Sequence, residues 1–415
     1  MSAPSSAEDV DVAIVGAGPA GSCLATLLAR AGRRVAVVER ADFPRYHIGE
    51  SLTGASTPIL EELGVAEEMD RRQFPPKRGV KVIGHEAHNE FFVPVLNPTW
   101  QVRREEFDQI LLERALHEGA TLRRSVVESV LREGERVVGL LHRPVHGHAD
   151  GPAHELRARF VADCSGQSSL LARLGVASKR VVDDVFSRQI ALFTQYEGAR
   201  RDPGEMGNNT FIFYGTELHW AWFIPLSPTL TSVGVVMPAA KVAEHGGPEA
   251  AFEWGRTHIN PDLAKRFNFA REVSPVRALA NYSYHVDRFW GEGWCCVGDA
   301  HQFIDPIFSF GVSFALIEAR AASAAILDVL VGADEATRLG EYAALCSRGQ
   351  GVARDLIRYF WRFPTFFAFL ARGEYRRDVI RLLGSACHDP EELGAIKAMR
   401  AALREAGVET AVAGG

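Results

Sequence analysis

Near its start the chain carries one pattern that leaves few folds open. Val10-Asp11-Val12-Ala13-Ile14-Val15 is short and β-branched, and it runs directly into Gly16-Ala17-Gly18-Pro19-Ala20-Gly21. Past Gly21, Leu24, Leu27, Leu28 and Ala31 recur at helical spacing until Gly32, and Val35-Ala36-Val37-Val38 then ends on Glu39. Buried strand, glycine turn, helix and buried strand make one βαβ crossover. In such a turn Gly16 makes the sharp bend, Gly18 lets a pyrophosphate approach the backbone, and Gly21 lets helix pack on strand. The helix start supplies free N–H groups and partial positive charge for phosphates. Glu39 can accept hydrogen bonds from a ribose, and its charge repels a 2′-phosphate. Alone, GxGxxG is a weak signal that also fits a loop without nucleotide. Between a strand and a helix, with an acid closing the next strand, it predicts a dinucleotide site.

The rest of the chain is read around that unit. A length of 415 residues suits two or three domains, or one large α/β core with an insertion. Acids outnumber bases 52 to 46, which argues against a nucleic-acid binder. Six scattered cysteines lack CxxC spacing, so no metal site is expected and reduced thiols fit a cytoplasmic protein. Adjacent Cys295 and Cys296 read as buried strand residues. No apolar run is long enough for a membrane span, and Met1 to Asp9 reads as a frayed tail rather than a signal peptide. Short β-rich aromatic pieces fill the middle (Phe91–Val95, Arg123–Leu141, Phe186–Gln195, Phe211–Phe213, Ser232–Met237), with a helix from Arg104 to Glu118 between them. The tract His142–His154 reads as an exposed hairpin tip, and the final residues as fraying. The expected fold is α/β: a doubly wound nucleotide-binding core over 8–333, an antiparallel sheet inserted at approximately 75–100 and 180–285, and a helical region over 334–415.

A second cluster separates FAD from NAD. Gly298-Asp299-Ala300 follows the apolar strand Trp294–Val297 and resembles the GD motif of FAD-dependent monooxygenase-like flavoproteins. In that family the aspartate holds the ribityl chain and the following helix points its start at the flavin. Ala162-Asp163-Cys164-Ser165-Gly166 resembles the family's strand end beside the adenine, and Arg104 matches an arginine near the FAD phosphates. The resemblance implies a cofactor-binding set of Gly16, Gly18, Ala20, Gly21, Glu39, Arg40, Ser51, Arg104, Gly298, Asp299 and Gly311. A second GxGxxG for NAD(P)H is missing from the sequence, so reduced flavin is expected from a separate reductase.

Three further stretches are similar to those of flavin-dependent halogenases. They are Phe43-Pro44-Arg45-Tyr46-His47-Ile48-Gly49-Glu50-Ser51-Leu52, the WxWxIP motif Trp220-Ala221-Trp222-Phe223-Ile224-Pro225, and the loop Phe303 to Gly311. The resemblance implies that reduced FAD and O₂ give a hydroperoxide that oxidises chloride or bromide to hypohalous acid. It places halide at Ser309, Phe310 and Gly311 through backbone N–H groups, with Trp220 and Trp222 walling flavin from substrate. Hypohalous acid then passes to a lysine, and Lys77 in Phe74-Pro75-Pro76-Lys77-Arg78-Gly79 matches that segment, with Lys81 its rival. A Trp-x-Trp alternation also fits plain core packing on one strand face, as Phe308 and Phe310 fit plain loop packing. Phe308 stands where tryptophan halogenases carry a glutamate, and Phe310 where the family usually has serine or threonine. The missing glutamate resembles the branch acting on phenols and pyrroles. The expected substrate is thus an electron-rich aromatic, free or tethered to a carrier protein, with chloride the expected halide. The aromatic tail from Arg354 fits a substrate wall and a packed helical hairpin equally. A flavin monooxygenase or oxidase and an isoprenoid reductase are the competing readings.

Overall fold

The computed structural model describes residues 8–85, 90–145, 152–182, 188–216, 218–280, 283–384, 386–389 and 391–411. Most of the expected N-terminal tail, the centre of the 142–154 tract, residues 186 and 187 of the expected third β piece and the last four residues lie outside them.

Strand Glu8–Val15 is the centre of the first sheet because its second half, Val12 to Val15, is apolar and buried on both faces and it accepts a parallel neighbour on each side. Val35–Glu39 pairs with it on one edge and His154–Asp163 on the other. Trp294–Cys296 adds in parallel beyond His154–Asp163, with both cysteines fully buried. Helix Pro19–Arg30 packs against this sheet and against helix Gly311–Leu330, so the glycine loop and the loop at 303–311 are brought side by side. The hairpin Thr121–Glu133 and Arg136–Pro144 belongs to this first sheet. Its opening residues pair in parallel with Val35–Glu39, and the rest turns into an antiparallel meander that rejoins His154–Asp163.

The second sheet runs, from one edge, Phe91–Trp100, Pro76–Ile83, Thr210–Tyr214, Trp220–Pro225, Leu230–Pro238, Gln189–Glu197 and Arg271–Glu272. Among the described residues of this sheet, only Thr210–Tyr214 with Pro76–Ile83 is parallel. Alternation sorts its residues cleanly. Trp220, Trp222 and Ile224 face one core with Phe308, Phe310 and the C-terminal helices, whereas Ala221 and Phe223 face another with Phe252 of helix Pro248–His258. After Gly311–Leu330 the chain continues as helices Glu335–Arg362, Pro364–Arg372, Arg376–Leu383 and Gly394–Glu405. Among the described residues, no helix is long and apolar enough to cross a membrane.

Candidate active site

Between the two sheets lies a cavity of about 850 Å³, within the range of a cofactor or ligand cleft. Its nucleotide end is lined by Gly16, Gly18, Ala20, Glu39, Arg40 and Arg104. Gly16 has φ +96°, and a side chain there would press within 2.5 Å of the Cys164 carbonyl oxygen. A Cβ on Gly21, which does not line the cavity, would lie 1.9 Å from the Gly16 carbonyl oxygen. At Gly18 only the Arg45 Nη2 approaches, at 3.6 Å, so this backbone is open to the cavity. The Glu39 carboxylate already accepts from the N–H groups of Ala17 (2.9 Å) and Ala41 (2.7 Å), which fixes it at the cavity wall. Each oxygen keeps a further lone pair for a ribose hydroxyl. Arg104 is buried and fixed by Asp108 at 2.7 and 3.0 Å, and it also donates to the Ile48 carbonyl. Asp163 anchors the strand end beside the loop by accepting from the N–H groups of Ser165 and Leu171.

At the other end, Gly298 turns with φ +63° and donates its N–H to Glu318 Oε2 at 2.8 Å. That turn presents Asp299 to the cavity, where burial first and the nearby Glu318 second push its carboxyl up to about 7. Gly298 itself lies behind the lining residues. His301, Glu318 and Cys346 group their donor atoms closely enough for a metal. The Glu318 carboxylate is, however, occupied by Gly298, by His301 at 2.9 Å and by Gln350 at 3.1 Å, and burial raises the Cys346 thiol. This is a satisfied structural cluster.

The loop Phe303–Gly311 meets the cavity through Asp305, Ser309, Phe310 and Gly311. Ser309 sits at φ +61° and its N–H donates to the Pro306 carbonyl at 2.9 Å. The expected three-residue set for halide therefore narrows, because the Ser309 amide is already engaged. Phe310 and Gly311 open helix Gly311–Leu330, where amides have no intrahelical acceptor and no side chain caps them. Phe310 is fully buried against Phe308 and Phe314. Trp220 and Trp222 share one strand face, their ring centroids 5.8 Å apart, and both line the cavity. Trp222 fits because Gly234 lies opposite it: a Cβ there would stand 2.1 Å from the indole. Its Nε1 donates to Ser232 Oγ at 3.1 Å.

Lys77 is 1% exposed and stands just behind the cavity rather than in its wall. Its Nζ donates to Ser51 Oγ at 2.8 Å and to the Leu52 carbonyl at 2.7 Å. Burial alone pushes its pKa down to about 7. Lys81 has a different setting. It pairs with Glu90 at 2.7 Å and lies 6.0 Å from the Phe211 ring, which belongs to the core on the far face of the sheet.

Several cavity groups were not singled out from the sequence. Glu50 is buried, one carboxylate oxygen lies 3.5 Å from Gln195 Nε2, the other has no partner, and burial pushes its pKa up to about 7. Asp305 is likewise raised to about 7 by burial, and its Oδ2 has no partner. Arg45 reaches over Gly18 as a candidate phosphate contact, and Thr210 stands beside Ser51. The segments holding Glu50, Asp305 and Arg45 were visible as motifs. Their roles depend on tertiary burial, which spacing does not report.

The cavity fits FAD on these grounds. Two uncapped helix starts, Pro19–Arg30 and Gly311–Leu330, open into it, Gly18 leaves backbone exposed, and unpartnered polar atoms of Glu50 and Asp305 lie along it. Comparison with known proteins agrees. A family described as "FAD binding domain" matches residues 9–356. The chain is 43% identical over 397 residues to the 1H-pyrrole-2-carbonyl-[peptidyl-carrier protein] brominase of Pseudoalteromonas luteoviolacea, covering 95% of this chain and 96% of that one. It is 32% identical to the 1H-pyrrole-2-carbonyl-[peptidyl-carrier protein] chlorinase of Pseudomonas fluorescens, covering 94% and 92%. The solved structure of the flavin-dependent brominase Bmp2 superposes with a TM-score of 0.92 at 43% identity, covering 96% of this chain and 99% of that one. The chain belongs to the flavin-dependent halogenases, enzymes built on an FAD-binding fold.

Proposed function

We propose that this enzyme halogenates a pyrrole-2-carbonyl group held as a thioester on a peptidyl carrier protein, using FADH₂ from a separate reductase. The observation that carries the substrate is the whole-length similarity to two enzymes whose names specify that carrier-bound pyrrole. Phe308 in place of an acid supports it, because an electron-rich pyrrole needs less help from a carboxylate than an indole. One of the two relatives is a brominase and the other a chlorinase, so the halide is bromide or chloride and the expected preference for chloride is set aside.

When bound, reduced FAD with O₂ supplies the oxidising equivalent that turns halide into hypohalous acid. The protein's part is placement. The first-turn amides at Phe310 and Gly311 offer halide partial positive charge in a dry pocket. Trp220 and Trp222 close the cavity wall and keep the ring being halogenated off the flavin, which suppresses direct hydroxylation. Lys77, set just behind the cavity wall, aims hypohalous acid at the ring through the hydroxyl of Ser51, to which its Nζ donates. Lys81, committed to Glu90 on the other face, is not the relay lysine.

The test is intact-mass analysis of a pyrrolyl-loaded carrier protein after incubation with enzyme, FAD, a flavin reductase, NADH, O₂ and either bromide or chloride. A halide-dependent isotope pattern on the carrier-bound pyrrole, with free pyrrole-2-carboxylate untouched, is expected. Halogenation of the free acid alone, or of neither, would contradict the reading.

A further inference from the structure

Lys77 does not reach the cavity by itself. Ser51 and Thr210 line the cavity while Lys77 lies behind them, and the three are joined in a line. Nζ donates to Ser51 Oγ at 2.8 Å, and Ser51 Oγ lies 2.7 Å from Thr210 Oγ1, either hydroxyl being able to donate. Gln101 Nε2 donates to Thr210 Oγ1 at 2.9 Å and holds it in place. All four side chains are buried. The sheet assembles this chain from distant segments. Thr210 opens the strand paired in parallel with the lysine strand, and Ser51 bridges to Gln101 next to it.

We propose that Ser51 and Thr210 are the positioning pair for Lys77, a two-hydroxyl relay that fixes Nζ from the cavity side and carries protons between it and the bound substrate. The proposal rests on the halogenase reading above. In the step it serves, the O–X bond of hypohalous acid breaks as a C–X bond forms on the ring, and the departing oxygen leaves as water by taking the Thr210 proton, which is replaced from Ser51 and in turn from the Lys77 ammonium. The ring carbon must then lose its own proton. That proton enters at Thr210 as the Thr210 proton moves to Ser51 and the Ser51 proton moves to the Lys77 amine. The sum is ring C–H plus HOX giving ring C–X plus water, with lysine returned as ammonium.

The surroundings suit a proton that moves in both directions. Lys77 titrates near 7 because it is buried, with no neighbouring charge setting it. Arg78 turns outward to Glu205, Lys81 pairs with Glu90 and Asp202, and Glu50 directs its carboxyl to Gln195. The elements packed on Nζ offer neutral groups, Ser51, Thr99, Gln101 and Thr210. A simple ion pair would hold the proton fast, whereas hydroxyls pass it on.

Two measurements test this. The first is halogenated product formed per flavin oxidised, across pH, for Thr210→Val and Thr210→Ser. Loss of the hydroxyl should lower that ratio by about a hundredfold or more, the lower edge of a general acid–base contribution, and remove the pH limb near 7. Serine should restore both. Coupling in Thr210→Val equal to wild type, or serine as poor as valine, would overturn the relay. The second uses FAD-free protein. The chain has only six lysines, so lysine labelled with ¹³C at Cε gives few signals, and Lys77→Arg identifies the one that matters. Ser51→Ala removes an acceptor of the ammonium and should move the Lys77 midpoint downward; an unchanged midpoint would overturn the proposal. Failure of wild-type enzyme to halogenate anything would sink the functional reading, and the titration would still judge the pair.

Discussion

Four buried ionisable groups, Lys77, Glu50, Asp299 and Asp305, are all drawn towards 7 with burial as the leading cause. Such clustering is what a cavity handling protons and anions would produce, and it is costly to the fold. Glu50 gives a clean test of that cost. Its ordinary pKa of 4.5 rises to about 7 on folding, so between these values the folded chain binds more protons than the unfolded one. Stability therefore falls as pH climbs from 4.5 through 7, and the full penalty is present above 7. Glu50→Gln should stabilise FAD-free protein by on the order of 1–3 kcal/mol at pH 8 and by nothing at pH 4.5, measured by denaturant unfolding. Equal gains at both values would show that charge is not the cause. At this scale the sequence disclosed residue types in motif order, Gly16, Gly18, Asp299, Lys77 and the tryptophan pair. It could not disclose Thr210 beside Ser51, because those two come from segments far apart in the chain, or Arg45 over Gly18, because that contact depends on how the chain folds back. The choice between Lys77 and Lys81 also needed sheet faces, which a bulge between Lys77 and Gly79 keeps from being counted off by twos.

At the scale of elements, the glycine loop separates folding from binding. Gly21 lies against the Gly16 carbonyl at a distance no Cβ can occupy, while Gly18 faces open cavity. Gly21→Ala should therefore destabilise the βαβ unit itself, by several kcal/mol or to the point of insolubility. Gly18→Val should leave FAD-free protein with near wild-type melting and abolish FAD retention, since its side chain would occupy the pyrophosphate's approach. Circular dichroism melts and the flavin absorbance of purified protein distinguish the two. A Gly18→Val protein that keeps its FAD would contradict the placement. The elements with purely local signals were legible: the first strand, the first helix, the second strand and the helix at Arg104. The hairpin at 121–144 was legible as β-rich from its composition, outside the sheet expected at 75–100 and 180–285, but composition did not say which strands it would pair with. Its sheet is decided by four parallel pairs to Ala36–Glu39, a non-local choice.

Across the whole molecule, the C-terminal helices brace the 303–311 loop. Phe367 is fully buried, with ring centroids 5.7 Å from Phe91, 5.7 Å from Phe308 and 5.3 Å from Phe360. The sequence left the aromatic tail open between a substrate wall and a packed hairpin. In the structure Phe360 and Phe367 pack inward, whereas Phe366 and Phe369 remain exposed. Phe367→Ala should cost about 3–5 kcal/mol and, by loosening Phe308, lower halogenated product per flavin oxidised more than it lowers FAD affinity. Loss of affinity with coupling intact would show that the helices brace only the cofactor. On the proposed reading the same architecture would divide the reaction in space, with halide oxidation at the 303–311 loop and carbon–halogen bond formation directed by Lys77, on a strand two removed along the sheet from the tryptophans. The most direct test of that division is Lys77→Ala, assayed in parallel for flavin reoxidation and for halogenated carrier by mass. Reoxidation should proceed at the wild-type rate while product falls on the order of 10²–10³-fold, the usual effect of deleting one positioned donor. Halogenation at the wild-type rate without Lys77 would contradict the account.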